Sequence, residues 1–332
     1  MSDAGTRRRP VWKHPAVRIA GSAAMLLLLF QVLPFGDIRA ALRSLPVWVF
    51  LVAIASYLGL HLIGIAKWRV VVNAVGAGLP FAGAARAYYW GLFGNMFLPS
   101  IVGGDVVRMG MALRTARSRT GLVLGSVVDR VLDIVGLASV AAIGAVLSPR
   151  ALDPQSRRIL LGVIAVCAVG AIGGLALVWF LPFGRLPFKI RRKLAPLWQA
   201  FRAARGNVPA LVLAFLMSMS LQALLVVMNW LLGLRMGIDV PLYVWLFVWP
   251  LAKVSGLAPV TQGGIGVREA AQALLFAPFG VPGATAVAVG LAFEVVILAG
   301  GLLGGAIAWI MGRGDGGVRR GVTRASPTAQ RW

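Results

Sequence analysis

Two segments of the sequence share the pattern Pro-x3-Gly-Gly-x3-Arg, at residues 99–108 and 259–268. Glycine pairs permit backbone conformations and close approaches that other residues resist. A helix that begins after such a pair points its free N–H groups and the positive end of its dipole at a nearby anion. An arginine about one turn further can bind a phosphate through two parallel hydrogen bonds. The pattern predicts an anion site that contains Gly103, Gly104, Gly263, Gly264, Arg108 and Arg268.

The same segments also admit a purely structural interpretation. The Pro-Gly-Gly turns would then only break helices, and the two arginines would mark the ends of apolar segments. Asn95 and Ser100 flank Pro99. We expect their side chains mainly to satisfy backbone groups freed by the break, with ligand binding as the alternative for both.

Ionisable residues interrupt otherwise apolar runs. Asp129, Arg130 and Asp133 lie in one such run, where Asp129 and Asp133 share a helical face and Arg130 is expected to pair with Asp133 at i, i+3. An internal salt bridge and a polar or proton-coupling lining are both open interpretations.

The last apolar run contains Glu294 with no cation nearby in its own segment. This carboxylate needs a partner from elsewhere, such as Lys253, Arg268 or Arg130, or it is protonated. Glu269 follows Arg268 directly, so the two side chains are expected to diverge, with Glu269 binding Lys253 or capping backbone N–H groups. Asp105 completes the expected charge network.

Catalytic motifs are not found in the sequence. It contains no P-loop, zinc-protease or nucleophile-elbow pattern, and Cys167 is the single cysteine. We therefore predict no metal, no cofactor and no enzymatic activity. An intramembrane transferase stays the least favoured alternative, because Asp105 lies close to Arg108.

Composition gives the setting for these residues. The 332 residues are 59% hydrophobic and 13% charged, against about half and about a quarter in soluble domains. Apolar runs of 18 or more residues predict an all-α, polytopic membrane protein. We predict full spans at 17–35, 47–66, 121–147, 159–182, 208–232 and 284–311, with a basic tail at 1–16 and another at 312–332 around one membrane domain at 17–311.

Charge fixes the predicted orientation. The net charge is +23, and the positives lie between spans, so we predict no nucleic-acid partner. With both termini cytoplasmic, the inner segments hold 24 Lys and Arg residues and the outer loops hold 6. The basic segment 185–205 also carries a Trp and Phe stripe typical of a helix on an anionic membrane surface.

Two apolar segments, 87–104 and 243–277, are broken by proline and glycine. With the orientation above, each must enter and leave on one side, as re-entrant segments do. The alternative makes each a helical hairpin or an extra span, giving eight spans. Broken helices of this kind are found where they line a cavity.

The interval between the two motifs recurs elsewhere in the chain. Nearly the same shift relates span 47–66 to 207–226 and Asp133 to Glu294. We predict repeat units at about 47–147 and 208–311 with opposite orientation. Inverted repeats with broken helices near the midplane are the architecture of many secondary transporters.

Together these motifs resemble the lysylphosphatidylglycerol synthase transmembrane family, also called flippase-like or uncharacterised integral membrane proteins. The resemblance covers about residues 15–311. It rests on Lys67-Trp68-Arg69, Asn95-x2-Leu98-Pro99-Ser100-x2-Gly103-Gly104-Asp105-x2-Arg108, Ser126-x2-Asp129-Arg130-x2-Asp133 and Pro259-x3-Gly263-Gly264-x-Gly266-Val267-Arg268-Glu269. Phe293-Glu294 departs from it, since an arginine would be expected there.

The resemblance implies a lipid-related function. In bifunctional members the membrane domain is assigned the flipping of aminoacylated phosphatidylglycerol, and a separate C-terminal domain performs aminoacyl transfer. Stand-alone members are linked to polyprenyl-glycan and hopanoid pathways. This chain ends in a short basic tail at Trp332, so we expect a stand-alone member without synthase activity.

We therefore predict a lipid flippase in a bacterial-type inner membrane, which binds an anionic or phosphate-bearing headgroup. The alternative is a non-catalytic accessory subunit of a lipid or glycan biosynthesis pathway, with a homo-oligomer or a biosynthetic enzyme as its partner.

Overall fold

In the computed structural model, the described residues are 35–97, 103–147, 205–256 and 264–322, with a few isolated positions between them. The regular structure in this part of the chain is helical throughout. Its α-helices are α1 Phe35–Arg43, α2 Val47–Ala74, α3 Phe81–Phe97, α4 Gly103–Ala112, α5 Arg119–Leu147, α6 Val208–Arg235, α7 Leu242–Ser255, α8 Val267–Phe276 and α9 Gly283–Val322. The predicted all-α class is confirmed.

Among the described residues, four helices are long and apolar enough to cross a membrane. They are α2, α5, α6 and residues Gly283–Arg313 of α9, with 28, 29, 28 and 31 residues. The predicted spans 47–66, 121–147, 208–232 and 284–311 each correspond to one of them. Helix α2 continues to Ala74, well beyond its predicted end at residue 66. The predicted spans 17–35 and 159–182 lie outside the described residues, as do most of the 185–205 segment and the tail before residue 17.

Both broken segments fold as pairs of antiparallel helices. In the first hairpin, a Cβ at Gly94 of α3 would lie 2.8 Å from Val107 of α4, and Asn95 contacts Gly104. In the second hairpin, the rings of Trp245 in α7 and Phe276 in α8 are 4.5 Å apart. The two arms of each hairpin therefore pack side by side.

The hairpin arms are short. Helix α3 has 17 residues, α7 has 14, and α4 and α8 have 10 each. At 1.5 Å per residue these correspond to about 26, 21 and 15 Å, whereas a bilayer core is about 30 Å thick. Arms of this length favour re-entrant hairpins over extra spans.

The second half of the chain repeats the first. Helices α2 and α6 both have 28 residues, and the interval from the start of α2 to the start of α6 equals that from the start of α3 to the start of α7. The C-termini of α2 and α6 also match. Gly76 and Gly237 have φ of 87° and 86°, and the next N–H donates at 2.9 Å to the carbonyl five positions back in both cases. This is the Schellman geometry that glycine permits at a helix end.

The two halves are oppositely directed and interlocked. Gly64 of α2 lies near Leu221 of α6, whereas Asn207 donates to the carbonyl of Ala74 at 3.1 Å, so these equivalent helices run antiparallel. Each half also packs its last helix against the other half's hairpin: Gly144 of α5 meets α7, and Gly305 of α9 meets α3. This is the arrangement expected of an inverted repeat.

The packing revises the predicted charge balance. The predicted set of 24 inner-loop cations includes Lys67 and Arg108, but these two are only 2% and 6% exposed inside the helical core. Removing them leaves 22 inner cations against 6 outer ones. The predicted orientation, with both termini cytoplasmic, stays a prediction that rests on this remaining asymmetry.

Candidate functional site

A cavity of about 260 Å³ lies where the two halves meet. Helices α2 to α9 all contribute to its wall. Arg108 from the first hairpin and Arg268 from the second both line it. The polar and aromatic lining also includes Tyr57, His61, Tyr88, Asn95, Asp105, Arg130, Asp133, Gln222, Trp249 and Lys253. The structure thus brings residues from both predicted motifs to one place.

The first half surrounds its arginine with carboxylates. Arg108 Nη2 lies 3.1 Å from Asp129 and 3.2 Å from Asp105. Its guanidinium also lies 4.4 Å from the centre of the Trp68 ring and 5.4 Å from that of Tyr88. Charged and aromatic contacts from α2, α3 and α5, together with Asp105 of its own helix, therefore hold Arg108 in place.

Lys67 completes this network from helix α2. Its ammonium lies 2.9 Å from Asp129 and also contacts Asp133, which accepts a hydrogen bond from Ser218 of α6 at 2.7 Å. Because Asp129 and Asp133 are one turn apart on the same face of α5, one lysine reaches both.

The predicted pairing of Arg130 with Asp133 is wrong. Arg130 instead forms an ion pair with Asp105 of α4, and Lys67 takes Asp133. The physical reason is that α2 supplies a buried cation to the face of α5 that carries both aspartates, so Arg130 joins α5 to the first hairpin instead. Here the internal salt-bridge interpretation applies, although Arg130, Asp105 and Asp133 also line the cavity.

The second half has a simpler ion cluster. Arg268 lies 3.0 Å from Glu269 and also contacts Glu294 of α9. Arg268 is therefore the partner that Glu294 needs, one of the three options predicted for it. The expected divergence of Arg268 and Glu269 is wrong, because Glu269 turns back toward the helix start and meets the guanidinium there.

Glu269 has a second contact that fixes its position. Its other carboxylate oxygen accepts a hydrogen bond at 2.6 Å from the backbone N–H of Gly266, and the side chain is fully buried. This confirms the predicted capping role. Gly266 has φ of 88°, which only glycine adopts without strain.

Lys253 differs from the other cations at the cavity. Its ammonium donates at 2.9 Å to Oε1 of Gln222 and lies 4.9 Å from the centre of the Trp249 ring. Within the described part of the chain, no salt bridge joins it to a carboxylate. Of the options predicted for Glu269 and Glu294, the pairing with Lys253 is therefore not the one observed, since Arg268 contacts both acids.

The hairpin turns place the glycine motifs, with one departure from expectation. Asn95 Oδ1 accepts a hydrogen bond at 2.9 Å from Gly104, the second residue of α4, which confirms its backbone-satisfying role. Gly264 is closely packed against Gly256. Arg108 is the sixth residue of α4, but Arg268 is only the second of α8, because that helix starts at Val267 rather than at its glycine pair. Ser100 and Gly263 lie outside the described residues, and Gly103 begins α4.

Sequence reasoning missed several members of the site. His61, Gln222, Tyr57 and Trp249 lie in strongly apolar helices and line the cavity. The signal that could have found two of them is the repeat itself, since His61 and Gln222 are separated by the same interval as the starts of α2 and α6.

In the described part of the chain, four apolar helices of spanning length and two helical hairpins around a charged cavity define a multi-pass helical membrane protein. The sequence profile described as the lysylphosphatidylglycerol synthase transmembrane region matches residues 16–305. The chain therefore belongs to that family, as its motifs predicted.

A relative is found among archaeal proteins. A "UPF0104 membrane protein" of Methanothermobacter thermautotrophicus is 22% identical over an alignment of 292 residues, which covers 78% of this chain and 82% of the relative. No solved structure matches the chain.

Proposed function

We propose that the protein moves the headgroup of an anionic or aminoacylated phospholipid between the two leaflets through the central cavity. A polyprenyl- or hopanoid-type lipid is the other cargo that the family resemblance admits. The observation that carries the proposal is that both hairpins, from oppositely directed halves, present their arginine to one cavity.

The charge of the wall supports an anionic cargo. Among the described residues, four cations line the cavity, namely Arg108, Arg130, Lys253 and Arg268, against two carboxylates, Asp105 and Asp133. The remaining acids of the ion clusters lie behind the wall. A phosphate that enters therefore meets an excess of hydrogen-bond donors that carry positive charge.

The size of the cavity supports a headgroup rather than a whole lipid. Pockets for drug-sized ligands have volumes of about 300–1,000 Å³, and this cavity has about 260 Å³. Acyl chains would stay in the surrounding bilayer. The headgroup alone would cross the low-dielectric region, where a bare charge is costly.

Interlocking of the two halves supports movement by rocking. Each hairpin packs on the last helix of the other half, so a rotation of one half against the other would displace the hairpins relative to the cavity. In inverted-repeat transporters such motion exposes a fixed site to each side in turn. Asp133 and Glu294, at equivalent positions, are candidates for charge compensation during this motion.

A proteoliposome assay with fluorescent phosphatidylglycerol and its lysyl ester tests this function. The matched variants are Arg268→Gln/Glu294→Gln, which removes a cation together with a carboxylate partner, and Arg235→Gln, which removes an exposed cation remote from the cavity. We expect lipid movement by the wild type and Arg235→Gln, and movement slower by about tenfold or more in the paired variant. Absence of movement by correctly folded wild type would contradict the proposal and favour the accessory role.

A further inference from the structure

The ion pairs at the cavity divide its cations into two kinds. Arg108, Arg130 and Arg268 each contact at least one carboxylate. Lys253 contacts the neutral oxygen of Gln222 and the face of Trp249 instead. Among the described residues, Lys253 is thus the cavity cation whose charge no salt bridge neutralises.

A second polar group at the cavity has an unused atom. His61 is 7% exposed, and its Nδ1 lies 3.2 Å from the hydroxyl of Tyr88. Its Nε2 is buried without a hydrogen-bond partner in the described structure. A buried polar atom of this kind is costly unless something binds it. When the Tyr88 hydroxyl donates to Nδ1, Nε2 carries the proton and becomes a donor.

The side-chain amide of Gln222 also has unused hydrogen-bond donors. Its Oε1 accepts from Lys253, which leaves the two amide hydrogens of Nε2 for another acceptor. Gln222 and His61 occupy equivalent positions of α6 and α2 and line the same cavity. The side chains of Lys253, Gln222 and His61 therefore line one cavity, and each of them can donate a hydrogen bond.

We infer that Lys253, Gln222 and His61 form the anion subsite of the cavity, and that it takes a singly charged phosphodiester. This inference rests on the proposed function, because it names the headgroup chemistry of that same cavity. Arg108 and Arg268 line the same cavity but stay paired with their own carboxylates, so they contribute less to anion binding than Lys253 does.

The charge state of the ligand follows from the ion pairs. Lys253 makes no salt bridge among the described residues, so a phosphodiester can meet its one positive charge without displacing a carboxylate. A phosphomonoester carries about −1.5 to −2 at pH 7. Binding it fully would require an arginine to leave its carboxylate, and an unpaired carboxylate in this interior is strongly unfavourable.

A binding experiment with soluble headgroups tests the inference. Detergent-purified full-length protein is titrated with sn-glycero-3-phosphoglycerol, a singly charged diester, and separately with glycerol 3-phosphate, a monoester, with binding followed by 31P NMR line broadening. We expect the diester to bind more tightly. Lys253→Met should raise its Kd about tenfold or more, since a charge-assisted hydrogen bond is lost.

Three further variants test which side chains bind the diester. Lys253→Arg keeps the charge and should retain diester binding, His61→Phe should weaken it by a smaller factor, and Arg235→Gln should leave it unchanged. Equal diester binding by Lys253→Met and wild type, or tighter binding of the monoester, would overturn the inference.

The transport assay separates this inference from the proposed function. If wild type moves phosphatidylglycerol and Lys253→Met moves it at the same rate, the subsite is wrong and the flippase function stands. If wild type binds the diester through Lys253 but moves no lipid, the subsite stands and the flippase function is wrong.

Discussion

The two halves of this protein share a backbone plan and differ in their charges. In the first half, Lys67, Arg108 and Arg130 join α2, α4 and α5 through three aspartates, with Ser218 of α6 attached. In the second half, Arg268 pairs with Glu269 of its own helix α8 and joins α8 to α9 through Glu294. Helix α6 supplies no cation there, because Met228 stands where α2 has Lys67.

This difference indicates that the two halves have different mechanical roles. The first hairpin is tied by ion pairs to α5, which Lys67 in turn ties to α2, so we expect it to be the more rigid one. The second hairpin is tied by ion pairs to α9 alone, and its α7 carries the unneutralised Lys253. The repeat therefore preserves helix ends and hairpins, and from the charges we expect the first half to act as an anchor and the second half to move more.

Removal of the lysine that joins the first half should have the largest effect. In Lys67→Met, Asp129 and Asp133 would be left in a buried site with fewer partners, at a cost of about 3–5 kcal/mol of stability. Thermal unfolding in detergent measures this loss. Met228→Leu is the matched control at the equivalent position of the second half and should change stability by less than about 1.5 kcal/mol. Similar losses in both variants would refute the anchor interpretation.

The second cluster should respond differently to single and paired substitutions. Arg268→Gln leaves Glu269 and Glu294 facing each other and should cost about 3 kcal/mol. Adding Glu294→Gln should recover part of that loss, with a coupling of about 0.5–3 kcal/mol in a double-mutant cycle. If the losses of stability in the two single variants simply add, Arg268 and Glu294 do not stabilise each other.

Two glycines test the packing between the halves. A Cβ at Gly144 would lie 2.5 Å from the backbone nitrogen of Phe247, whereas one at Gly305 would lie 2.6 Å from the side chain of Phe93. A backbone cannot move as easily as a ring, so Gly144→Ala should destabilise by about 1–3 kcal/mol and Gly305→Ala by less. Denaturation of the two variants side by side gives the comparison, and the reverse order would contradict it.

The smallest expected loss of stability comes from substituting the glycines at the ends of α2 and α6, and it should be the same in both halves. Gly76 and Gly237 have the same left-handed conformation and open space around the position of a Cβ. Alanine at either position should cost about 1 kcal/mol, because only the backbone conformation is strained. Thermal unfolding of both variants measures the two losses. Equal losses of stability would support the same helix-end geometry in both halves. A difference between the two losses that exceeds the expected loss itself would argue against it.

Much of the fold was predictable because apolar length, broken segments and glycine motifs act locally. The spans at α2, α5, α6 and α9 follow from hydropathy, and the repeat follows from the spacing of Arg108 and Arg268. The ion pairs were harder to predict, since Lys67 meets Asp133 only after α2 packs against α5. Pairing by spacing along one helix therefore gave Arg130 the wrong partner.

His61 and Gln222 could not be predicted as site residues for a related reason. Each is a single polar residue in an apolar helix, and its function depends on which way that helix faces. Only the packing of both halves around one cavity brings the two side chains together with Lys253.

Exposure of the cavity to both sides of the membrane is the central claim. In a Cys167→Ala background, Leu225→Cys would put one thiol on the cavity wall, and Val289→Cys would put one in the apolar core as a control. Labelling by a membrane-impermeant thiol reagent, added to one side of sealed vesicles at a time, is the direct measurement. We predict that the cysteine at residue 225 reacts from either side and the one at residue 289 from neither. Reaction of the cysteine at residue 225 from one side alone would contradict the account.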